Sequence, residues 1–484
     1  MTAARPRGAP DPAGAQPGTP RTFHIETLGC QMNDHDSERL AGLLVADGLE
    51  PTDDLEAADV VVFNTCCIRE NADNKFYGHL GNLKSLRERR PEMLIAVGGC
   101  LAQMEGERVR QRAGHVDVVF GTHNLTRAPA LLRQAARTGP VVEILDEAPA
   151  DAGPVPAEQA AAIGAVRDLP YAAWVTIQMG CDNSCAFCIV PSVRGGEVSR
   201  APDDLVTEVR ALAARGVTEV TLLGQNVNSY GRDLTGRGPL FARLLAEVGA
   251  VEGIRRVRFT SPHPKDLRPE TIEAMATTAE VCDHLHLPLQ SGSDAVLVAM
   301  RRGYTAERYL ARLAAARASI PDLAVTTDLI VGFPGETEED FTRTLEVVAE
   351  AAYDSAYTFV FSPRPGTRAA TMEDRFVPAE VVVERMERLR AVVERSALVR
   401  HRARIGRREE VLVEGPSKRD PSVVTGRTGQ NKLVHFVPPD GRVPAPGSFA
   451  EVAVTGAARH HLQGQLVGVT ARPRHRTLIP VAAG

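Results

Sequence analysis

The sequence predicts an α/β protein in three parts: an N-terminal parallel α/β domain, a central partial (β/α)6 barrel and a small C-terminal β-barrel. Two patterns predict it. Over roughly the first 400 residues, strand-like apolar runs alternate with helical stretches, as in parallel sheets. From His401 onward, short β-rich runs separated by Gly and Pro follow one another, as in a small barrel. A chain of 484 residues is also too long for one core, so two to four domains are expected.

Residues 1–21 are rich in Pro, Gly and Ala and read as a disordered tail. They lack the apolar stretch of a secretory signal, so the protein is expected in the reducing cytoplasm, where structural disulfides are rare. Residues 22–145 form the first domain. Its strand candidates are Phe23–Leu28, Val60–Asn64, Met93–Val97 and Val116–Phe120, with helices at Ser37–Ala46 and Lys75–Arg89. Residues 146–170, rich in Ala, Pro, Asp and Glu, read as a linker.

Residues 171–400 hold six further strand candidates: Ala173–Ile177, Glu219–Leu223, Val257–Thr260, His284–Leu289, Ala324–Val331 and Ser355–Phe361. Helices such as Asp204–Arg215 and Glu338–Ala351 lie between them. In barrels of this kind the chemistry sits at the C-terminal ends of the strands. Residues 401–470 carry Glu410–Glu414, Leu433–Phe436, Phe449–Val454 and Gln465–Val469, the expected strands of a small antiparallel barrel, and 471–484 form a tail. No apolar run is long enough to span a membrane.

Net charge is −5, unevenly spread. From His401 to the end there are 13 Lys and Arg against 6 Asp and Glu, leaving an acidic body before them. A basic module on an acidic body suggests an end that binds a polyanion; a plain solubility asymmetry is the alternative.

With disulfides unlikely, the eight cysteines read as metal ligands, reactive thiols or small buried hydrophobes. Cys181-Asp-Asn-Ser-Cys185-Ala-Phe-Cys188 places three thiols in one short loop directly after the first barrel strand. Thiolates ligate iron–sulfur clusters, and three of them leave a cubane with one open iron that can bind a substrate. A structural zinc site would want a fourth ligand, and no His or Cys stands nearby. Cys30, Cys66 and Cys100 each end a strand candidate of the first domain. Strands of a parallel sheet share one C-terminal edge, so these three can converge. Cys66 is taken as the ligand and Cys67 as its small neighbour, with the reverse assignment left open. Cys282, at the start of a barrel strand, reads as buried packing.

The C-x3-C-x2-C loop, with Phe187 before its last Cys, resembles the radical S-adenosylmethionine (SAM) superfamily. Three N-terminal cysteines, such a barrel and a terminal module like a TRAM domain together resemble the methylthiotransferases, over about Arg21 to Val469. The strings that carry this are Thr27-Leu-Gly-Cys-Gln-Met-Asn33, Asn64-Thr-Cys-Cys-Ile-Arg-Glu70, Val97-Gly-Gly-Cys-Leu-Ala-Gln103 and Ser362-Pro-Arg-Pro-Gly-Thr367. Cys67 departs from the family, where a small residue other than Cys is usual.

The resemblance implies two [4Fe-4S] clusters, one on Cys181, Cys185 and Cys188 and one on Cys30, Cys66 and Cys100, with SAM as cosubstrate. It places Phe187 near the SAM adenine, and Gly224, Gln225 and Asn226 near the methionyl end. Gln290, with Ser291, would reach the ribose, and Ile330 and Gly332 would line the nucleoside. Gly224 permits close backbone approach, and the two amides can hydrogen-bond a ligand. Ser293 is a candidate helix cap, Asp328 faces either the cavity or a neighbouring Arg or Lys, and Glu336 is either a helix N-terminal charge or a site residue. Arg194 and Arg200 each suit the SAM carboxylate, an RNA phosphate or solvent.

The implied reaction is methylthiolation of the isopentenylated adenosine beside the anticodon of a tRNA. The implied partners are tRNA and a low-potential electron donor, flavodoxin or ferredoxin, with the enzyme itself a monomer. Two sister activities stand beside it, on threonylcarbamoyladenosine of tRNA and on a ribosomal-protein aspartate. A non-catalytic metal-containing RNA-binding protein is the alternative of another class.

Overall fold

The protein's structure, a computed structural model, describes residues 20–67, 70–146, 167, 169–439 and 441–473. The expected N-terminal tail up to residue 19, most of the linker and the chain after 473 lie outside the described residues.

The first domain is a six-stranded parallel sheet in the order β2-β1-β3-β4-β5-β6. Its strands are β1 (Thr22–Leu28), β2 (Glu50–Pro51), β3 (Val60–Thr65), β4 (Leu94–Gly99), β5 (Val118–Phe120) and β6 (Val141–Glu143). β3 and β4 are buried along their whole length because helices cover both faces, which is why they read as unbroken apolar runs. Val60 and Val62 pack with Leu40, Leu44 and Leu131 on one side; Val61 and Phe63 pack with Phe76, Leu80 and Leu83 on the other. The edge strands β2 and β6, two and three residues long, were not expected; runs this short carry no readable alternation.

The central part opens with β7 (Ala172–Thr176), after which β8 (Gln178–Met179) and β9 (Val198–Ser199) form a small antiparallel pair. The other barrel strands are β10 (Glu219–Leu223), β11 (Arg256–Phe259), β12 (His284–His286), β13 (Ala324–Val331) and β14 (Ser355–Val360). They form two parallel three-stranded sheets, β11-β10-β7 and β12-β13-β14, with a bridge between Val257 and Val281 where the two meet. Val175, Val220, Leu222, Val257, Leu285, Val325 and Leu329 pack outward against the helices in one core. By alternation, Thr176, Glu219, Arg258, His286 and Asp328 face the opposite way, into the barrel. The helix Glu338–Ala351 starts with a capping box, Thr337 and Asp340 each bonding the other's backbone N–H.

The third part is a closed barrel ordered β15-β16-β17-β19-β18, from β15 (Arg408–Pro416), β16 (Val424–Thr428), β17 (Leu433–Val437), β18 (Phe449–Ala457) and β19 (Leu462–Ala471). It departs from the expected antiparallel barrel in one pairing: β17 and β19 run parallel. β16 was also missed, because Gly426 interrupts its apolar pattern where the strand closes against the Leu412 carbonyl.

Much of this module's positive charge is tied up against carboxylates. Lys432 pairs with the buried Asp354 at 2.6 Å, Arg404 with Asp322 at 2.8 Å and Glu409 at 2.7 Å, and Arg427 with Glu414 at 2.8 Å. Arg258 donates to the carbonyls of Thr428 (2.8 Å) and Gly429 (2.9 Å), and Arg256 to that of Arg427 (2.8 Å). The excess of basic residues therefore serves docking onto the barrel as well as any polyanion.

Candidate active site

Cys30, Cys66 and Cys100 follow β1, β3 and β4, three strands adjacent in the sheet, so the thiols leave one edge side by side. Paired asparagines hold the first two loops together. Asn33 donates from Nδ2 to Asn64 Oδ1 (3.1 Å) and to the Thr65 carbonyl (3.0 Å), and Asn64 Nδ2 returns a bond to the Asn33 carbonyl (2.8 Å). Cys30 Sγ reaches Asn33 Oδ1 at 3.4 Å. The third loop turns at Gly99, φ +93°, where an added Cβ would strike the Thr65 carbonyl and stand 2.5 Å from Asn64 Oδ1. Only glycine fits there.

A hydrogen bond with Cys66, together with the nearby Arg194 charge, draws the Cys30 thiol well below its ordinary range despite burial. A hydrogen bond with Cys67 and the same arginine act alike on Cys100, while Cys67, the other side of that bond, is pushed up. Cys66 thus neighbours Cys30 and Cys67 neighbours Cys100, both at the same strand end.

Cys181, Cys185 and Cys188 lie between β8 and the helix Val190–Arg194. The Cys181 sulfur accepts from the Asn183 backbone (3.5 Å) and side chain (3.4 Å), and the Cys185 sulfur from Arg302 Nη1 (3.3 Å). Lys265 bonds the Asn183 side chain from outside. Burial pushes up the Cys181 and Cys188 thiols, the latter to about 12, so their protons would leave only to a bound cation. Among the described residues no three Cys, His, Asp or Glu side chains are already closed around one point as about a single ion.

The donor sets fit iron–sulfur clusters: two trios of thiols, one beside the Arg194 charge and the Asn33 and Met32 backbone, the other with the Asn183 N–H groups and the Arg302 guanidinium directed at it. The barrel mouth also fits a polar ligand such as SAM. Both amide atoms of Gln225, and Oε1 of Gln290, are buried with no protein partner, and Gln290 holds a left-handed φ of 68°. Buried amides left unpaired mark where a ligand or water belongs. Phe187 and Ile330 flank one apolar cluster with Ala186, Val296, Met300 and Phe333. Gly332, φ +76°, leaves a Cβ no room beside Val382, and Gly224 lies against Gln178 and Val227.

Other candidates are engaged within the protein. Asn226 donates to Asp266 (2.9 Å) and accepts from the His263 N–H (3.3 Å), so its amide braces the loop and is turned away from a ligand role. Ser291 bonds Thr344 at 3.1 Å, and Ser293 caps the helix Asp294–Ala299. Asp328 pairs with His286 at 3.4 Å, in place of the Arg or Lys considered from sequence. Glu336 is a buried partner of Arg385 (3.0 Å) and of the Gly332 N–H (2.9 Å). Arg200 bonds the Thr176 carbonyl and Glu208. Cys282 is buried.

Arg194 joins the two trios. It ends the helix that follows Cys188 and pairs at 2.8 Å with Asp36, on the helix that follows Cys30; both side chains are about nine-tenths buried. Thr122 donates to the Val193 carbonyl at 2.5 Å, and Ile189 and Val193 pack in the same core cluster as Cys67 and Cys100. Arg364 of the Ser362–Thr367 string pairs with Asp73 at 2.5 Å and lies near Cys67. Sequence reasoning missed Asn183, Lys265 and Arg302 and gave Arg194 the wrong partner, because the contacts of Lys265, Arg302 and Arg194 span 82 to 158 residues.

A cysteine-loop barrel, a thiol-edged sheet and a closed terminal barrel define a three-domain radical SAM enzyme. Models of three families match along the chain: Uncharacterized protein family UPF0004 over residues 22–121, the Radical SAM superfamily over 175–348 and the TRAM domain over 402–467. The chain belongs to the family of the tRNA-2-methylthio-N(6)-dimethylallyladenosine synthases. The relative of that name from Acidothermus cellulolyticus is 52% identical over 463 residues, covering 94% of this chain and 90% of the relative. The one from Mycolicibacterium smegmatis is 50% identical over 454 residues, covering 91% and 86%. The fold is also similar to the radical SAM methyltransferase TsrM of Kitasatospora setae, solved with cobalamin and a [4Fe-4S] cluster, at TM-score 0.52 and 15% identity over 73% of this chain and 77% of that one. Superfamily membership brings a [4Fe-4S] cluster and SAM. Among the described residues no helix is long and apolar enough to cross a membrane.

Proposed function

We propose that this enzyme converts N6-isopentenyladenosine beside the anticodon of tRNA to its 2-methylthio derivative. It would use two [4Fe-4S] clusters, on Cys181, Cys185 and Cys188 and on Cys30, Cys66 and Cys100. The observation that carries the reading is the pair of cysteine trios joined through the segment Cys188–Arg194 and the buried Arg194–Asp36 pair. When bound, the clusters and two SAM molecules supply one-electron reduction, hydrogen-atom abstraction and a methylated sulfur. The adenine C2–H is not acidic, so radical abstraction suits it where a base would not.

The chain's residues position and shield. Gln225 offers its unpaired amide, and Gln290 its unpaired Oε1, to the polar groups of SAM, and Phe187, Ile330 and Gly332 wall the nucleoside. The Asn33–Asn64 pair and Gly99 hold the loops that carry Cys30, Cys66 and Cys100. The base must be turned out of its loop to enter, which single-stranded RNA permits most readily. The terminal module would grip the RNA backbone. Flavodoxin or ferredoxin would supply electrons, and a monomer would suffice, in the cytoplasm.

The test offers purified enzyme tRNA pools that are isopentenylated, threonylcarbamoylated or unmodified, together with the ribosomal protein. Methylthio product is expected predominantly on the first. Product chiefly on another substrate would overturn the assignment, and one tetrahedral zinc without SAM cleavage would overturn the radical chemistry.

A further inference from the structure

We infer that Arg302 is a positioning residue for electron entry: its guanidinium, bonded to the Cys185 sulfur, raises the reduction potential of the cluster held by Cys181, Cys185 and Cys188. This rests on the cluster assignment proposed above.

Arg302 follows the helix Asp294–Ala299 and is buried, 6% exposed. Each arm of its guanidinium has a direction. Nη1 donates to Cys185 Sγ (3.3 Å), Nε to the Tyr304 hydroxyl oxygen (3.2 Å) and Nη2 to the Pro288 carbonyl (3.4 Å). Tyr304 is itself anchored, donating to the Leu289 carbonyl at 2.8 Å, and its ring lies 5.5 Å from the guanidinium carbon. Among the described residues no acidic side chain pairs with Arg302. A buried cation without a carboxylate is unfavourable unless another anion compensates it. The anion at hand is the thiolate, and the metal–sulfur assembly behind it.

Cys181 is served differently, by neutral N–H groups of Asn183. Among the described residues, Arg302 is therefore the cationic donor to this trio. Reduction adds one electron from a low-potential donor of the flavodoxin or ferredoxin class, and no proton, so the assembly gains one negative charge. A positive charge and a hydrogen bond at one of its sulfurs, in a dry site, stabilise that more negative state.

The experiment is a redox titration of full-length reconstituted protein, followed by electron paramagnetic resonance of the signal that changes on adding SAM. Arg302→Met should keep wild-type iron and sulfide yet titrate at a more negative potential. SAM cleavage driven by flavodoxin should fall about tenfold or more, and a stronger reductant should restore it. Arg302→Lys should lie between, and Tyr304→Phe, which leaves the charge in place, near wild type. A wild-type potential in Arg302→Met with the cluster fully loaded would overturn the inference. If that variant fails to load this cluster, Arg302→Gln, a polar side chain without charge, decides in the same way. Lack of any cluster on these cysteines in the wild-type protein would instead overturn the cluster assignment.

Discussion

Replacing Arg194 by Met tests whether the two cysteine trios are registered by the ion pair between the domains. The pair measures 2.8 Å, with side-chain exposures of 7% for Arg194 and 10% for Asp36. Removing the cation leaves a buried carboxylate with its partner gone, which costs about 3–5 kcal/mol. Asp36→Asn in the same chain removes the stranded charge, so the double variant should recover most of that loss. Stability alone would not show registration, so the assay is twofold. Urea unfolding measures the cycle, and chromatography measures 5′-deoxyadenosine against methylthio nucleoside. The Cys181 loop is intact in both variants, so SAM cleavage should continue while methylthio product per cleavage falls, even in the recovered double variant. Loss of less than about 0.5 kcal/mol with an unchanged product ratio would refute the reasoning.

Gly99→Ala should displace Cys100, because its backbone lies at φ +93° with the Thr65 carbonyl in the way; strain of about 1–3 kcal/mol is expected. On the two-cluster proposal, iron should drop from about eight to about four atoms per chain by colorimetric analysis, with SAM cleavage retained. Lys432→Met strands Asp354, whose other oxygen accepts the Val325 N–H at 2.8 Å, and should destabilise docking of the terminal barrel by about 3–5 kcal/mol. Limited proteolysis near Arg402 should quicken accordingly, and an unchanged cleavage rate would show that the pair does not hold the module.

Elements with strong periodicity were legible from sequence. β10, β13 and the helix Glu338–Ala351 have the expected boundaries, and both cysteine trios lie where strand ends were placed. β2, β6 and β16 were not legible, being too short or interrupted by Gly426 to show an alternation. The parallel β17–β19 pairing depends on how the chain returns around the barrel, which local pattern does not encode. At the site, residues that belong to one local motif were readable, and those that act across the fold were not. Asn226 looked like a ligand amide until Asp266, 40 residues away, took it up. The charge asymmetry was counted correctly, but a count cannot see Asp322 and Asp354 waiting on the barrel for Arg404 and Lys432.

The end of β16 and the turn it enters, Arg427–Gly429, sit against the base of the central barrel, their carbonyls taken up by Arg256 and Arg258. With that end occupied by the terminal module, the opposite end, where the Cys181 loop follows the strands, is the doorway the proposed chemistry would use. On the proposed chemistry, the first SAM must leave as its spent product before the second enters, and both share their doorway with the nucleotide. A tRNA seated over that doorway would hold inside whichever SAM arrived before it. The order of arrival, more than the affinity of either ligand, would then decide whether a round of turnover ends in a methylthio group or in a wasted radical.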